Sequence, residues 1–174
     1  ERHGIPFLNE ASSSPALSRQ GWKWFFRVGP HDELFIRDMF TFLKDAQKKS
    51  GVTARTMVVL HINDLFGVTA KDTALKFNKD PQIGGYEVLD VIGYPVDIAD
   101  ASDIALRIKR LNPDVLFQVS QPSDAILTQR AIVGNKIKPK LHMVVDAGHI
   151  TPDFIKALGK DANYIVSRDV FSLD

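Results

Sequence analysis

Residues 113–124 read Pro113-Asp114-Val115-Leu116-Phe117-Gln118-Val119-Ser120-Gln121-Pro122-Ser123-Asp124. Val115–Val119 is a short apolar run, continuous rather than alternating, as in a strand covered on both faces. Pro122 stands in the first turn of a helical stretch that runs to Val133. On the other side, Ile104, Ile108 and Leu111 hold an i, i+4, i+7 spacing, and Pro113 lies just past their end. Helix, strand and helix in direct succession predict a βαβ unit and a parallel sheet.

The same rhythm extends outward in both directions. Met57–His61, Tyr86–Ile92, Leu141–Val145 and Tyr164–Val166 are further apolar runs, rich in β-branched residues. Leu34 to Lys48 sets Phe35, Ile36, Met39, Phe40 and Leu43 on one helical face, with Gly51 as the stop. Gly67 to Phe77 turns Ala70, Ala74 and Phe77 inward. Thr151-Pro152 reads as an N-cap followed by proline at N1, opening a helix that carries Phe154, Ile155 and Leu158. Gly84-Gly85 is a turn before a strand, and the lysines at 136, 138 and 140 read as a solvated loop. The predicted class is α/β, an open parallel sheet flanked by helices.

The first thirty residues break the rhythm. Ile5–Leu8 and Trp24–Val28 read as strands, separated by the polar turn Ala11-Ser12-Ser13-Ser14-Pro15 with no full helix between them. They are expected to be a piece of a neighbouring domain plus a crossover. The opening Glu1-Arg2-His3-Gly4 resembles a helix tail with its glycine cap, so the chain is expected to begin within a longer protein.

Composition narrows the function. Of 174 residues, 44% are hydrophobic and 25% charged, and the net charge is +1 with both signs mixed throughout, which points to neither a nucleic-acid groove nor a membrane surface. There is no cysteine, so disulfides, thiolate metal sites and a cysteine nucleophile are excluded. No apolar run approaches the ~20 residues that span a bilayer, and no signal peptide is recognisable. The histidines at 3, 31, 61, 142 and 149 have no metal-ligand spacing on a helix. No Gly-x-Ser-x-Gly elbow, dinucleotide fingerprint or phosphate loop occurs. Neither a cofactor nor a metal is expected, and the residues point to a binder rather than an enzyme.

In an open parallel sheet, ligands bind beyond the carboxyl ends of the strands. Three strand ends are polar: His61-Ile62-Asn63-Asp64-Leu65-Phe66-Gly67, Ser120–Asp124 and Asp146-Ala147-Gly148-His149. Topology predicts that they share one edge. Phe66, just before Gly67 and after a polar stretch, is expected to carry an exposed ring. Asp146 is the most informative acid, because a carboxylate ending a buried strand is costly without a cation or backbone donors.

In this order the segments resemble the type I periplasmic solute-binding proteins of branched-chain amino acid (Leu/Ile/Val-binding) ABC transporters. The resemblance rests on Ile5-Pro6-Phe7 with Ala11–Leu17, on Trp24–Arg27, on His61–Gly67 with its aromatic-Gly helix opening, and on Asp103–Lys109 followed by Asn112-Pro113-Asp114-Val115. It implies two α/β lobes closing on a ligand. Residues 1–20 would be a remnant of the first lobe and its crossover, and 28–174 the second lobe, incomplete at its C-terminus. It also implies that the Ala11, Ser12, Ser13 loop holds an α-carboxylate, and that Phe66 is an aromatic wall, a position that is Tyr in some relatives. Gln121, joined by Ser120 at the same strand end, would stand near a second wall that is often aromatic. Asp146, one methylene shorter than the usual Glu, would pair with an α-ammonium. The implied partners are an amino acid or similar solute and a membrane permease, in an extracytoplasmic setting. Unpaired strands imply in addition a dimer of this chain through its N-terminal strands. A sensory receptor of the same architecture, or a doubly wound enzyme using Asp146, His149 and His61 as an acid–base set, are the alternatives.

Overall fold

The computed structural model describes residues 3–145 and 148–169. Two short strands come first: β1 (Phe7–Asn9) and β2 (Phe25–Arg27), with a 3-10 turn at Pro15–Arg19 between them. They pair in parallel, Phe7 opposite Phe25 and Asn9 opposite Arg27.

The remainder alternates strictly. It runs α1 (Asp32–Ser50), β3 (Thr56–Ile62), α2 (Leu65–Asn78), β4 (Glu87–Tyr94), α3 (Ser102–Leu111), β5 (Val115–Val119), α4 (Pro122–Gly134), β6 (Leu141–Val145), α5 (Pro152–Leu158) and β7 (Ile165–Ser167). The five later strands form one sheet in the order β4-β3-β5-β6-β7, and every pairing is parallel. The expected α/β class is thus the observed one. Between β3 and β5 the winding direction reverses, which is where this architecture opens a crevice for ligands.

Helices cover both faces, and β3 shows how the sequence specifies this. Met57 and Val59 join Ile36, Phe40 and Leu43 of α1 and Ala70 and Ala74 of α2 in one core. Val58, Leu60 and Ile62 join Ile108 of α3 and Ile132 of α4 in the other. Successive residues serve opposite faces, so a doubly covered strand reads as an unbroken apolar run. A smaller cluster of Ala125, Phe154 and Leu158 fastens α5 to α4.

Helix ends follow their local chemistry. Gly51 adopts φ +71° and closes α1 with a bond from its N–H to Gln47 O, a conformation costly for a residue with a Cβ. Asp64 accepts the Gly67 N–H to cap α2, and Thr151 accepts the Phe154 N–H to cap α5. Gly67 is crowded rather than twisted: a Cβ there would lie 2.0 Å from Ile62 O, so the start of α2 can rest on the end of β3 only without a side chain.

Two local expectations give way. The Phe66 ring is half-buried against the α1/α2 core rather than exposed, because α2 begins two residues before Gly67 and carries Phe66 in its first turn. Ile155 faces outward, since Phe154 and Leu158, four apart, already fill the seam against α4.

Candidate functional site

An open cavity of about 780 Å³ lies between the serine-rich loop and the carboxyl edge of the five-stranded sheet. Ala11, Ser12, Ser13, Phe66 and Gln121 all line it. Phe66 opens α2 after β3, Gln121 opens α4 after β5, and the three loop residues arrive from the opposite side.

The loop is built before it meets the sheet. Asn9 donates from Nδ2 to Ser12 O at 2.8 Å and accepts the Ser12 N–H at 3.1 Å. Arg27 donates to Ser12 O and, at 2.7 Å, to Ser14 O. The loop then docks on α1, where the Asp32 N–H reaches Ser13 O at 2.9 Å. Arg19 and Lys76 both pair with Glu33, at 2.6 and 3.2 Å, bracketing the 3-10 turn against α1 and α2. These contacts draw the Glu33 carboxyl below its usual range, chiefly through the Lys76 hydrogen bond.

On the sheet side the two helix openings are tied together. Gln121 Nε2 donates to Asp64 Oδ2 at 3.1 Å, while Asp64 Oδ1 accepts the Gly67 N–H. Gly148 lies close against the start of α4: a Cβ there would come within 2.7 Å of Ser120 O, Gln121 O and the Ala125 side chain.

Ser120 is placed beneath the cavity, fully buried and absent from its lining. Its hydroxyl lies 2.7 Å from Tyr94 Oη and accepts from Gln118 Nε2 at 2.8 Å. The expectation of a ligand contact at Ser120 is corrected to a supporting one, because that oxygen is already enclosed in a network. The network has one direction. His142 Nε2 meets Gln118 Oε1 at 3.0 Å, while Gln118 Nε2 serves Ser120 and Thr128. The Thr128 hydroxyl donates to Asp124 O at 2.7 Å. Tyr94 donates to the Asp124 carboxylate, which also accepts the Gln121 N–H at 3.2 Å. Since the Gln118 amide must turn its NH₂ toward two hydroxyls, its oxygen faces His142 and fixes the proton on Nε2. Burial pushes the Asp124 carboxyl up against the pull of the Tyr94 hydroxyl, and it pushes Tyr94 up as well. His142 is held neutral, its pKa lowered to about 4 by burial.

Of the acid–base set considered from sequence, the two histidines are among the described residues. His61 lies against Ile62 O through Nδ1 at 3.0 Å, and His149 packs edge-on against Phe154. Neither lines the cavity. Burial and the neighbouring His142 lower the pKa of His149 to about 3, so it is uncharged near neutrality. Asp146 lies outside the described residues. No group of three metal-ligating side chains occurs among the described residues, and no described helix is long and apolar enough to cross a membrane.

The lining also holds Asp64 and Leu65, from the polar strand end after β3, and Ser14, Leu17, Ile150, Arg168 and Asp169, which sequence reading did not single out. The strand-end rule would have reached Arg168, the first residue after β7, had it been applied to the fifth strand as it was to β3, β5 and β6.

The profile of the family described as periplasmic binding protein matches residues 1–172. Solved structures give the same fold. A leucine-, isoleucine-, valine-, threonine- and alanine-binding protein of Brucella ovis, in a closed conformation, is 24% identical with a TM-score of 0.75, over 90% of this chain and 38% of that one. A leucine-binding protein of Thermotoga maritima is 23% identical with a TM-score of 0.73, over 90% and 41%. A type 1 periplasmic binding protein of Bordetella pertussis is 16% identical with a TM-score of 0.78, over 95% and 43%. The chain thus spans about two fifths of the length of these structures.

Proposed function

The chain belongs to the periplasmic binding protein family, and from that premise we propose that it is the greater part of one lobe of an extracytoplasmic solute-binding protein. In this reading residues 1–20 come from the first lobe and 28–174 form the second. The protein holds an amino acid or a related small solute between the lobes and hands it to the permease of an ABC transporter. The supporting observation is that five of the residues expected at the site, Ala11, Ser12, Ser13, Phe66 and Gln121, line one cavity at the winding reversal of the sheet.

The lining suits binding more than turnover. Among the described residues it offers hydroxyls and backbone groups on one side, an aromatic and an amide on the other, and no nucleophile paired with a base. Gln121 stands where an aromatic wall is common in the family that the sequence resembles. Its side chain is fastened to Asp64, so the pocket differs from a plain aliphatic one, and the solute need not be leucine. Asp146 would supply the anion for the solute's ammonium.

The test is calorimetry on the full-length protein with the common L-amino acids. At least one is expected to bind, and Asp146→Asn to weaken it by about 2–5 kcal/mol, the range for truncating one partner of a buried charge pair. Undiminished binding by Asp146→Asn would move the reading to a neutral or anionic solute. The 174-residue chain by itself is expected to bind no better than millimolar, since lobe closure supplies contacts from both sides.

A further inference from the structure

We propose that Asp64 and Gln121 are specificity-determining residues, and that the solute carries a neutral hydrogen-bond donor, a hydroxyl or a primary amide, where an aliphatic solute has a methyl group. This rests on the reading of the cavity as a solute site and adds to it the chemical class of the solute's side chain.

Both residues line the cavity, and they join helix starts that lie far apart in sequence. Gln121 Nε2 donates to Asp64 Oδ2 at 3.1 Å, and Asp64 Oδ1 accepts the Gly67 N–H at 2.6 Å. The Gln121 main chain is fixed as well. Its N–H donates to Asp124 at 3.2 Å, and Asp124 is buried and accepts the Tyr94 hydroxyl. The residue is thus held at its backbone and at its amide before any solute arrives. A carboxylate can accept about four hydrogen bonds, and an amide NH₂ has a pair of donors. Among the described residues each Asp64 oxygen takes one bond and the Gln121 NH₂ gives one, so both keep capacity for a solute.

The surroundings narrow the chemistry of the group that meets them. Leu65 and Phe66, next to Asp64 in the chain, and Ile150 bring apolar side chains to the lining. A polar pair set among apolar side chains is the arrangement that discriminates between solutes of one shape. Asp64 and Gln121 are half-buried in the open cavity. An aliphatic group closed over them would strip water from the pair and return no hydrogen bond, whereas a hydroxyl or amide would replace the water. Charge selects further. Asp64 caps α2, and Gln121 immediately precedes Pro122 of α4. The partial positive charge of each helix N-terminus, about half a unit, offsets the Asp64 carboxylate. The local field therefore favours a neutral donor over an ammonium or a guanidinium.

The competing role for Asp64 is that of a helix cap and nothing more. Two variants of the full-length protein separate the roles. Asp64→Ser keeps an oxygen for the Gly67 N–H and loses the arm to Gln121. Gln121→Leu keeps the bulk and loses the amide. Circular dichroism checks that both fold. Calorimetry then compares threonine with valine, asparagine with leucine, glutamine with methionine and tyrosine with phenylalanine, pairs close in shape that differ by a donor. In the pair that binds most tightly, the parent is expected to prefer the donor-bearing member by at least about 10-fold. The ratio should fall to within about 3-fold in Gln121→Leu, with Asp64→Ser between. A smaller or reversed preference in the parent, or a ratio unchanged in the folded variants, overturns the inference and leaves the solute-binding reading standing. Binding confined to amino acids outside these pairs does the same. Failure of every common L-amino acid to bind the parent overturns both.

Discussion

The five-stranded lobe and the β1–β2 ribbon are built from equally apolar segments, yet they end in opposite conditions. In the lobe, Phe117 is wholly enclosed, touching Phe40 across a ring distance of 6.0 Å. In the ribbon, Phe7, Leu8, Trp24 and Phe26 are all largely exposed, and Phe7 and Trp24 line an open hollow of about 470 Å³. The lobe encodes its own cover, because β3 to β6 are each followed in sequence by a helix, and α1 precedes the strand whose face it covers. The ribbon has two short strands and one 3-10 turn, too little to bury either face. Apolar composition therefore marks a surface that wants covering, and only the alternation of elements shows whether the cover lies in the same stretch of chain.

Truncations should divide along this line. Phe117→Ala is expected to cost about 3–5 kcal/mol in urea unfolding, whereas Phe26→Ala, at a side chain 50% exposed, should cost under about 1 kcal/mol. Equal losses at both sites would break the comparison. The exposed ribbon should also drive association of the 174-residue chain, visible by light scattering as a concentration-dependent mass that Phe7→Lys reduces.

Acid sharpens the contrast, because the buried histidines belong to the lobe. His142 and His149 sit at about 4 and about 3 against an ordinary 6.5. On acidification the unfolded chain takes up these protons first. The stability they contribute is complete above pH 6.5 and drains away as the pH falls toward the folded values. Each adds about 1.4 kcal/mol per pH unit inside its window. His142→Gln keeps a donor for Gln118 and removes one titration, so the slope between pH 6 and 5 should flatten by up to that amount.

The last two substitutions test smaller differences. Tyr94→Phe deprives the buried Asp124 carboxylate of its hydroxyl donor, with an expected loss of about 1–3 kcal/mol. Glu33→Gln breaks the exposed bracket between the 3-10 turn and the lobe, and should cost under about 1 kcal/mol, less in high salt. A Glu33 effect as large as that at Tyr94 would mean that the ribbon is held to the lobe more firmly than its exposed ion pairs indicate.

Much of the lobe was legible because its signals are local. β5 and β6 run from Val115 to Val119 and from Leu141 to Val145, the limits set by their apolar runs and by flanking proline and polar residues. The position of α5 followed from Thr151-Pro152, a cap and a proline at N1. Helix starts were harder: α1 begins at Asp32, not Leu34, because acids in a first turn favour the helix without contributing to an apolar stripe. The cavity was legible at Phe66 and Gln121, where the strand-end rule applies, and illegible at Leu17 and Ile150, which reach it only through the paths of their loops. Ser120 shows the limit of the rule, since it names the strand end and says nothing about whether a side chain there looks up into the crevice or down into the core.

The strand order carries a consequence for how the chain assembles. β3 is flanked by β4 on one side and β5 on the other, and β6 and β7 then follow outward in chain order. Apart from the step from β4 to β5, which returns to β3, each new strand needs only the one made just before it. A polypeptide emerging from its N-terminus can therefore grow this sheet as it appears, like a fence extended post by post, without waiting for a distant segment to close the structure. Once β4 has closed one side, the edge that still grows is the newest strand. Along β3 to β7, interruption or slow synthesis would leave a shorter sheet with sound packing behind it, rather than a tangle that must be undone.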